Sequence, residues 1–168
     1  MHIKRNHHQD LVDDAAWLQD ELERIKGMIP VIPYLDRPLE QESALEMLSK
    51  IGNACDSFYK PILKEVVNCN DNIHLSLTVD YDSLYSSEYQ KGKDASDVLN
   101  HIIQSRGEFL ELLKMLKSSD LDRVICMKGE KKTLRKIISG MLLFERGQLK
   151  KIAERVRAID TERAANQK

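Results

Sequence analysis

Apolar residues recur at three- and four-residue steps in four stretches of the chain, and that spacing predicts four amphipathic helices. Leu11, Ala15, Leu18, Leu22 and Ile25 share one stripe of a helix over about Asp10 to Lys26, which Gly27 ends. From Met28 to Pro38 the prolines at 30, 33 and 38 each remove a backbone donor, so an extended connection is predicted. Ser43-Ala-Leu-Glu46 reads as a capping box: the serine oxygen accepts from the third helical amide, and the glutamate reaches back to the cap amide. The helix it opens turns Met47, Leu48, Ile51, Cys55, Phe58, Ile62 and Val66 inward. It continues past Pro61, which is expected to kink it or divide its last turns.

The middle of the chain changes period. After a turn-rich run at Asn68 to Asn72, Ile73, Leu75, Leu77 and Val79 alternate with His74, Ser76 and Thr78 as in a strand. A lone strand has no sheet, so the segment reads as an extended crossover; the only candidate partner is the short run Val124 to Met127. Asp82 to Gln90 has the pattern of a short helix, with Tyr81, Leu84, Tyr85 and Tyr89 read as packing residues rather than a stacking platform for a ligand.

Asp94 is a candidate cap for a third long helix of about 23 residues. Its broad apolar face comprises Val98, Leu99, Ile102, Ile103, Phe109, Leu110, Leu113 and Leu116. A connection from Ser118 to Lys132, containing Gly129, leads to Thr133, the predicted cap of the last helix. There Leu134, Ile137, Ile138, Met141, Leu142, Leu149, Ile152 and Val156 face inward, and a polar tail follows Ile159. Four helices with polar outer faces are best satisfied by an all-α, antiparallel four-helix bundle. Residues 1–168 read as one domain, ordered over about 10–159 with polar termini.

Composition narrows the function. The 168 residues carry 26 Lys and Arg against 27 Asp and Glu, for a net charge of −1, so no chain-wide field draws the protein to nucleic acid or anionic lipid. No apolar run approaches the roughly 20 residues that span a bilayer, and Met1 to Asp10 is polar, so a cytoplasmic protein is expected. The three cysteines, Cys55, Cys69 and Cys126, form no Cys-x-x-Cys pair and read as reduced thiols. His2, His7 and His8 read as part of a solvated N-terminus, His74 and His101 as surface or boundary residues. The basic run Lys128, Lys131, Lys132, Arg135 and Lys136 lacks interleaved aromatics and reads as a solvated face.

Several segments together resemble the DinB-like (DinB/YfiT) superfamily. Glu46-Met-Leu-Ser-Lys-Ile-Gly-Asn-Ala-Cys-Asp56 is similar to that family's second-helix motif, in which a metal-binding histidine follows the glutamate by four residues. Ser105-Arg106 with Phe109, Leu110, Leu113 and Leu116, then Leu121-Asp-Arg123, Gly129 and Thr133-Leu134, follow the second-half pattern in order. Phe144-Glu-Arg-Gly-Gln148 resembles His-Glu-x-x-His, which completes a three-histidine site. The resemblance implies an up-up-down-down bundle with a long crossover between helices 2 and 3, and frequent homodimers.

Carried over residue by residue, the three ligand positions are Lys50, Phe144 and Gln148. An ammonium repels a cation, phenylalanine has no lone pair and glutamine is a weak neutral donor, so no metal and no cofactor are expected. Lys50, Phe144, Glu145 and Gln148 instead form a candidate cavity, with Lys50 near Gln148 and Glu145. Lys50 is either a recognition or proton-transfer group, or a residue whose stem packs while its head reaches solvent at the bundle mouth. No catalytic triad, phosphate loop or nucleophile elbow is present. The leading expectation is a metal-free bundle that binds a small molecule or a protein partner. Its alternatives are a diverged thiol-transfer enzyme and a homodimerising protein that uses Trp17, Tyr34 or the Tyr81 to Tyr89 segment.

Overall fold

A computed structural model describes residues 7–28, 42–69, 94–127 and 129–166. The proline-rich connection with Tyr34, the Ile73 to Val79 crossover, the Asp82 to Gln90 segment, His2, His74 and Lys128 lie outside the described residues.

The described chain is mostly helical, with one small sheet. Helix α1 spans His7–Gly27 and buries Leu11, Val12, Ala15, Leu18 and Leu22, the predicted stripe. It begins earlier than the apolar pattern suggests, and His8 Nε2 lies 2.8 Å from Leu113 O. His8 is therefore tied to the body of the protein, unlike the solvated N-terminus expected.

Helix α2, Ala44–Ala54, opens on the capping box read from the sequence. Glu46 N donates to Ser43 Oγ at 3.1 Å and Ser43 N donates to Glu46 Oε2 at 2.7 Å. The arm then widens into a π-helical turn, Cys55–Tyr59, before α3, Lys60–Asn68. Pro61 explains that position. Without an amide hydrogen it cannot bond back to Ser57, and the backbone accommodates the gap one turn earlier, with Lys60 N donating to Cys55 O. The expected division of the helix thus takes the form of a wider turn that leaves α2 and α3 in one continuous arm.

Helix α4, Ala95–Met115, follows Asp94. The Asp94 carbonyl accepts from Val98 N at 3.0 Å, but its side chain makes no cap hydrogen bond. The Ser118 to Lys132 connection is more structured than the sequence suggests: a 3-10 turn, Ser118–Asp122, leads into strand β1, Val124–Met127, paired antiparallel with β2, Glu130–Thr133. Gly129 turns the hairpin with φ +81, a conformation that favours glycine. Strand β2 was not legible because Glu130-Lys-Lys132 has no apolar alternation; Ile125, wholly buried, anchors β1 to the core. Thr133 caps helix α5, Leu134–Ala165, accepting from Lys136 N at 3.4 Å. The helix continues past Ile159 through the predicted polar tail.

The buried apolar residues divide into two clusters. The first joins Leu11 to Leu18 of α1, Ala54 to Val66 of the α2–α3 arm, Phe109 to Leu113 of α4 and Leu134 to Leu142 of α5. The second joins Leu22, Ala44 to Ile51, Val98 to Ile102, and Ile152. Along the chain, α1 and α5 pass from the first cluster to the second, whereas the α2–α3 arm and α4 pass from the second to the first.

Gly52 lets α2 and α4 approach. A Cβ built there would meet Ile102 Cγ1 at 2.8 Å. Alanine would gain about 1 kcal/mol of helix propensity and lose about 1–3 kcal/mol to overpacking. We expect Gly52→Ala to be net destabilising in urea unfolding; a stabilised variant would show that the contact is looser than the geometry indicates.

Candidate functional site

The polar side chains buried among the described residues are concentrated where the helices cross from one apolar cluster to the other. Arg106 stands on α4 between Ile102 of the second cluster and Phe109 of the first; Glu145 and Gln148 stand on α5 between Leu142 and Ile152. Arg106 is 0 % exposed, Glu145 2 % and Gln148 7 %. One α-helical turn separates Glu145 from Gln148, so both lie on the inward face of α5.

Arg106 Nε is 3.2 Å from Glu145 Oε1, close enough to pair charges, yet the two groups are not aligned as a hydrogen bond. Arg106 Nη2 donates to Ala15 O at 3.2 Å, and the guanidinium carbon lies 5.0 Å from the centroid of the Phe109 ring. Arg106 Nη1, both Glu145 oxygens and Gln148 Oε1 are buried without a hydrogen-bond partner among the described residues. Leaving such groups unmade is costly, and three of the side chains that bear this cost stand between the two apolar clusters. Burial raises Glu145 from 4.5 to about 7, opposed by the Arg106 charge. Burial likewise pushes the Cys55 thiol up to about 12, again against Arg106, so this cysteine is a poor nucleophile.

The four residues singled out from the sequence divide between the interior and its edge. Glu145 and Gln148 enter the interior, and Phe144 is half-buried against the second cluster. Lys50 is also half-buried, and its ammonium pairs with Glu42 rather than Glu145. Glu42 precedes α2 and captures the lysine at the edge, where neither charge must be fully dehydrated. Lys50 is thus paired with a carboxylate, and Phe144 sits in apolar contact. Among the described residues no three His, Cys, Asp or Glu side chains converge as metal ligands.

Arg106 was the residue missed as a centre, although its signal was present: position 106 falls on the stripe Leu99, Ile102, Phe109 and Leu113, where an arginine breaks an otherwise apolar face. A second cluster was also missed. Asp56, in the π turn, lies 2.7 Å from Lys60 Nζ and 2.6 Å from His101 Nε2, and it accepts from Ser105 Oγ. Lys60 reaches on to Glu108 at 2.9 Å. His101, exposed as the surface reading expects, also joins α4 to the α2–α3 arm. Burial would raise Asp56, but hydrogen bonds from Lys60, Ser105 and His101 outweigh it and lower the carboxyl from 3.8 to about 2. The basic run near the hairpin is partly neutralised, with Lys132 2.7 Å from Glu130 and Arg135 2.9 Å from Asp122. No helix among the described residues is long and apolar enough to cross a membrane.

These two carboxylates pull stability in opposite directions. Asp56 binds its proton more weakly in the folded chain, so its contribution is complete above about pH 4 and is lost as pH falls from 3.8 towards 2. Glu145 binds its proton more tightly when folded, so its contribution is complete below 4.5 and is lost as pH rises to about 7. In unfolding measurements from pH 2 to 8, Asp56→Asn should flatten the acid limb and Glu145→Gln the limb between 4.5 and 7. An unchanged upper limb in Glu145→Gln would refute the assignment of that limb to Glu145.

No family model matches this chain, and no curated protein or solved structure matches it either.

Proposed function

We propose that the chain is a DinB-like four-helix bundle without the family's metal site, and that it binds a small polar molecule in the layer between its two apolar clusters. Arg106, Glu145 and Gln148 are the binding groups; Phe144 and Lys50 stand towards the edge. Support for the bundle comes from the order of the clusters along each helix and from the packing of both α4 and α5 against α1 and α2. With the clusters at opposite ends, α1 and α5 run one way and the α2–α3 arm and α4 the other. That up-down-down-up order differs from the up-up-down-down order implied by the resemblance.

The observation that carries the binding reading is the set of unpartnered polar atoms on Arg106, Glu145 and Gln148. A layer serving stability alone would be better filled with apolar side chains, because a buried ion pair rarely recovers its full dehydration cost. A second reading, a homodimerising interaction protein, draws on Trp17 and Leu143, which are 49 % and 73 % exposed.

The double variant Arg106→Met with Glu145→Leu tests the binding reading without knowledge of the ligand. We expect it to be as stable as the wild type or more stable by up to about 4 kcal/mol in denaturant, whereas Arg106→Met alone should cost about 3–5 kcal/mol. A double variant much less stable than the wild type would mean that the charged layer exists to hold the fold together, and would overturn the binding reading.

A further inference from the structure

The charge arrangement in the interior limits what can enter it. A cation placed among Arg106, Glu145 and Gln148 meets the arginine, and a neutral molecule leaves a misaligned ion pair as it was. An anion meets Glu145, unless that carboxylate accepts a proton as the anion arrives. The geometry provides for this step. Gln148 stands one helical turn along the same inward face of α5 with its Oε1 buried and unpartnered among the described residues, the acceptor a protonated Glu145 would use, and departure of Glu145 from Arg106 releases an Nε that is already poorly aligned towards it. Arg106 then presents either Nε or, on another edge of the guanidinium, Nη1 to the incoming anion, while Nη2 stays on Ala15 O and the ring face of Phe109 stays against the guanidinium.

We propose that the molecule bound in this layer is a small monocarboxylate that enters with one proton: its carboxylate replaces that of Glu145 as the partner of Arg106, and protonated Glu145 donates to Gln148. This inference rests on the binding reading above and names its ligand class. The exchange conserves charge, since one carboxylate is neutralised by a solvent proton and one arrives, leaving the interior with a single cation and a single anion. It also improves the bonding, because a free carboxylate can align with the guanidinium where one fixed to α5 cannot. A doubly charged oxyanion would leave an excess negative charge against one arginine, and for that reason the singly charged class is favoured. The high proton affinity that burial confers on Glu145 keeps the cost of the proton small near neutral pH.

Acetate and acetamide nearly share a shape and differ in charge, so the pair isolates the proposal. Each is titrated into isotopically labelled full-length protein at pH 6 and pH 8 and at constant ionic strength set with chloride, following backbone amides of α4 and α5 by NMR. Acetate should bind about tenfold more tightly at pH 6 than at pH 8, the ratio of protonated Glu145 in the two conditions, and acetamide should show no such dependence. Glu145→Gln, which supplies a permanent donor to Gln148, should bind acetate equally at both pH values; should that variant fail to fold, the wild-type ratio still decides. Acetamide binding in preference to acetate would overturn the anion class and leave the binding reading intact. Acetate shifts that match those of chloride would mean an adventitious ion only, and would overturn the proposal, as would acetate binding that ignores pH or no interior shift at all. The binding reading itself is judged separately, by the stability of the Arg106→Met, Glu145→Leu double variant.

Discussion

A guanidinium with no exposed surface must find its compensation inside the protein, and the placement of Arg106 governs much of the rest of this structure. Its Nη2 hydrogen bonds to Ala15 of α1, its Nε faces Glu145 of α5, and its plane lies over Phe109 on its own helix. One side chain therefore meets α1 and α5 at a single level of its own helix. It also explains why the buried apolar residues divide into two clusters: at a level that holds a cation, a carboxylate and an amide, the half-buried Leu149 packs against both. The two clusters on either side must each be large enough to fold against, and each draws residues from all four long helical arms.

The fourth arm is secured differently. The α2–α3 arm meets α4 through Gly52 packed on Ile102 at one level and through Asp56 at the next. The π turn is what allows the second of these. One extra residue in the turn displaces the side chains that follow relative to those before it, so Asp56 can reach Ser105 and His101 while Cys55 and Phe58 remain buried. Cys55 approaches the same stretch of α4 from the inside, with its thiol 3.7 Å from Ser105 O. The proline that forces the wider turn is thus coupled, through Asp56, to the helix that carries Arg106.

Much of the helical architecture could be read directly. Period and capping chemistry located α1, α2 and α5, because these are local effects: an apolar stripe, a serine followed three residues later by glutamate, a threonine before a leucine. The hairpin was missed because strand β2 is held by its partner and by the turn at Gly129, neither of which shows in the pattern Glu130-Lys-Lys-Thr133. The candidate site was half legible. Glu145 and Gln148 were found through a resemblance to a metal-binding motif, but the inward face of α5 runs through Met141, Glu145, Gln148 and Ile152, and this places Phe144 to one side. The cation beside Glu145 is set by long-range geometry and is Arg106, while Lys50 pairs with Glu42 at the edge, in keeping with the second of the two readings the sequence allowed.

The preference for Arg106 over Lys50 has a physical basis. A lysine ammonium is compact and strongly hydrated, so drawing it inside strips away more solvation than one carboxylate restores. Glu42 offers it a partner at the edge of the core, where water still contributes. The guanidinium is more weakly hydrated and planar, and it can rest an apolar face on Phe109 while its edges serve Ala15 and Glu145. If Lys50 were to join Arg106 in the interior, two cations would share the single carboxylate of Glu145. The interior therefore accepts one positive charge, and that charge is the arginine, whose Nε and Nη1 are left without a hydrogen-bond partner among the described residues.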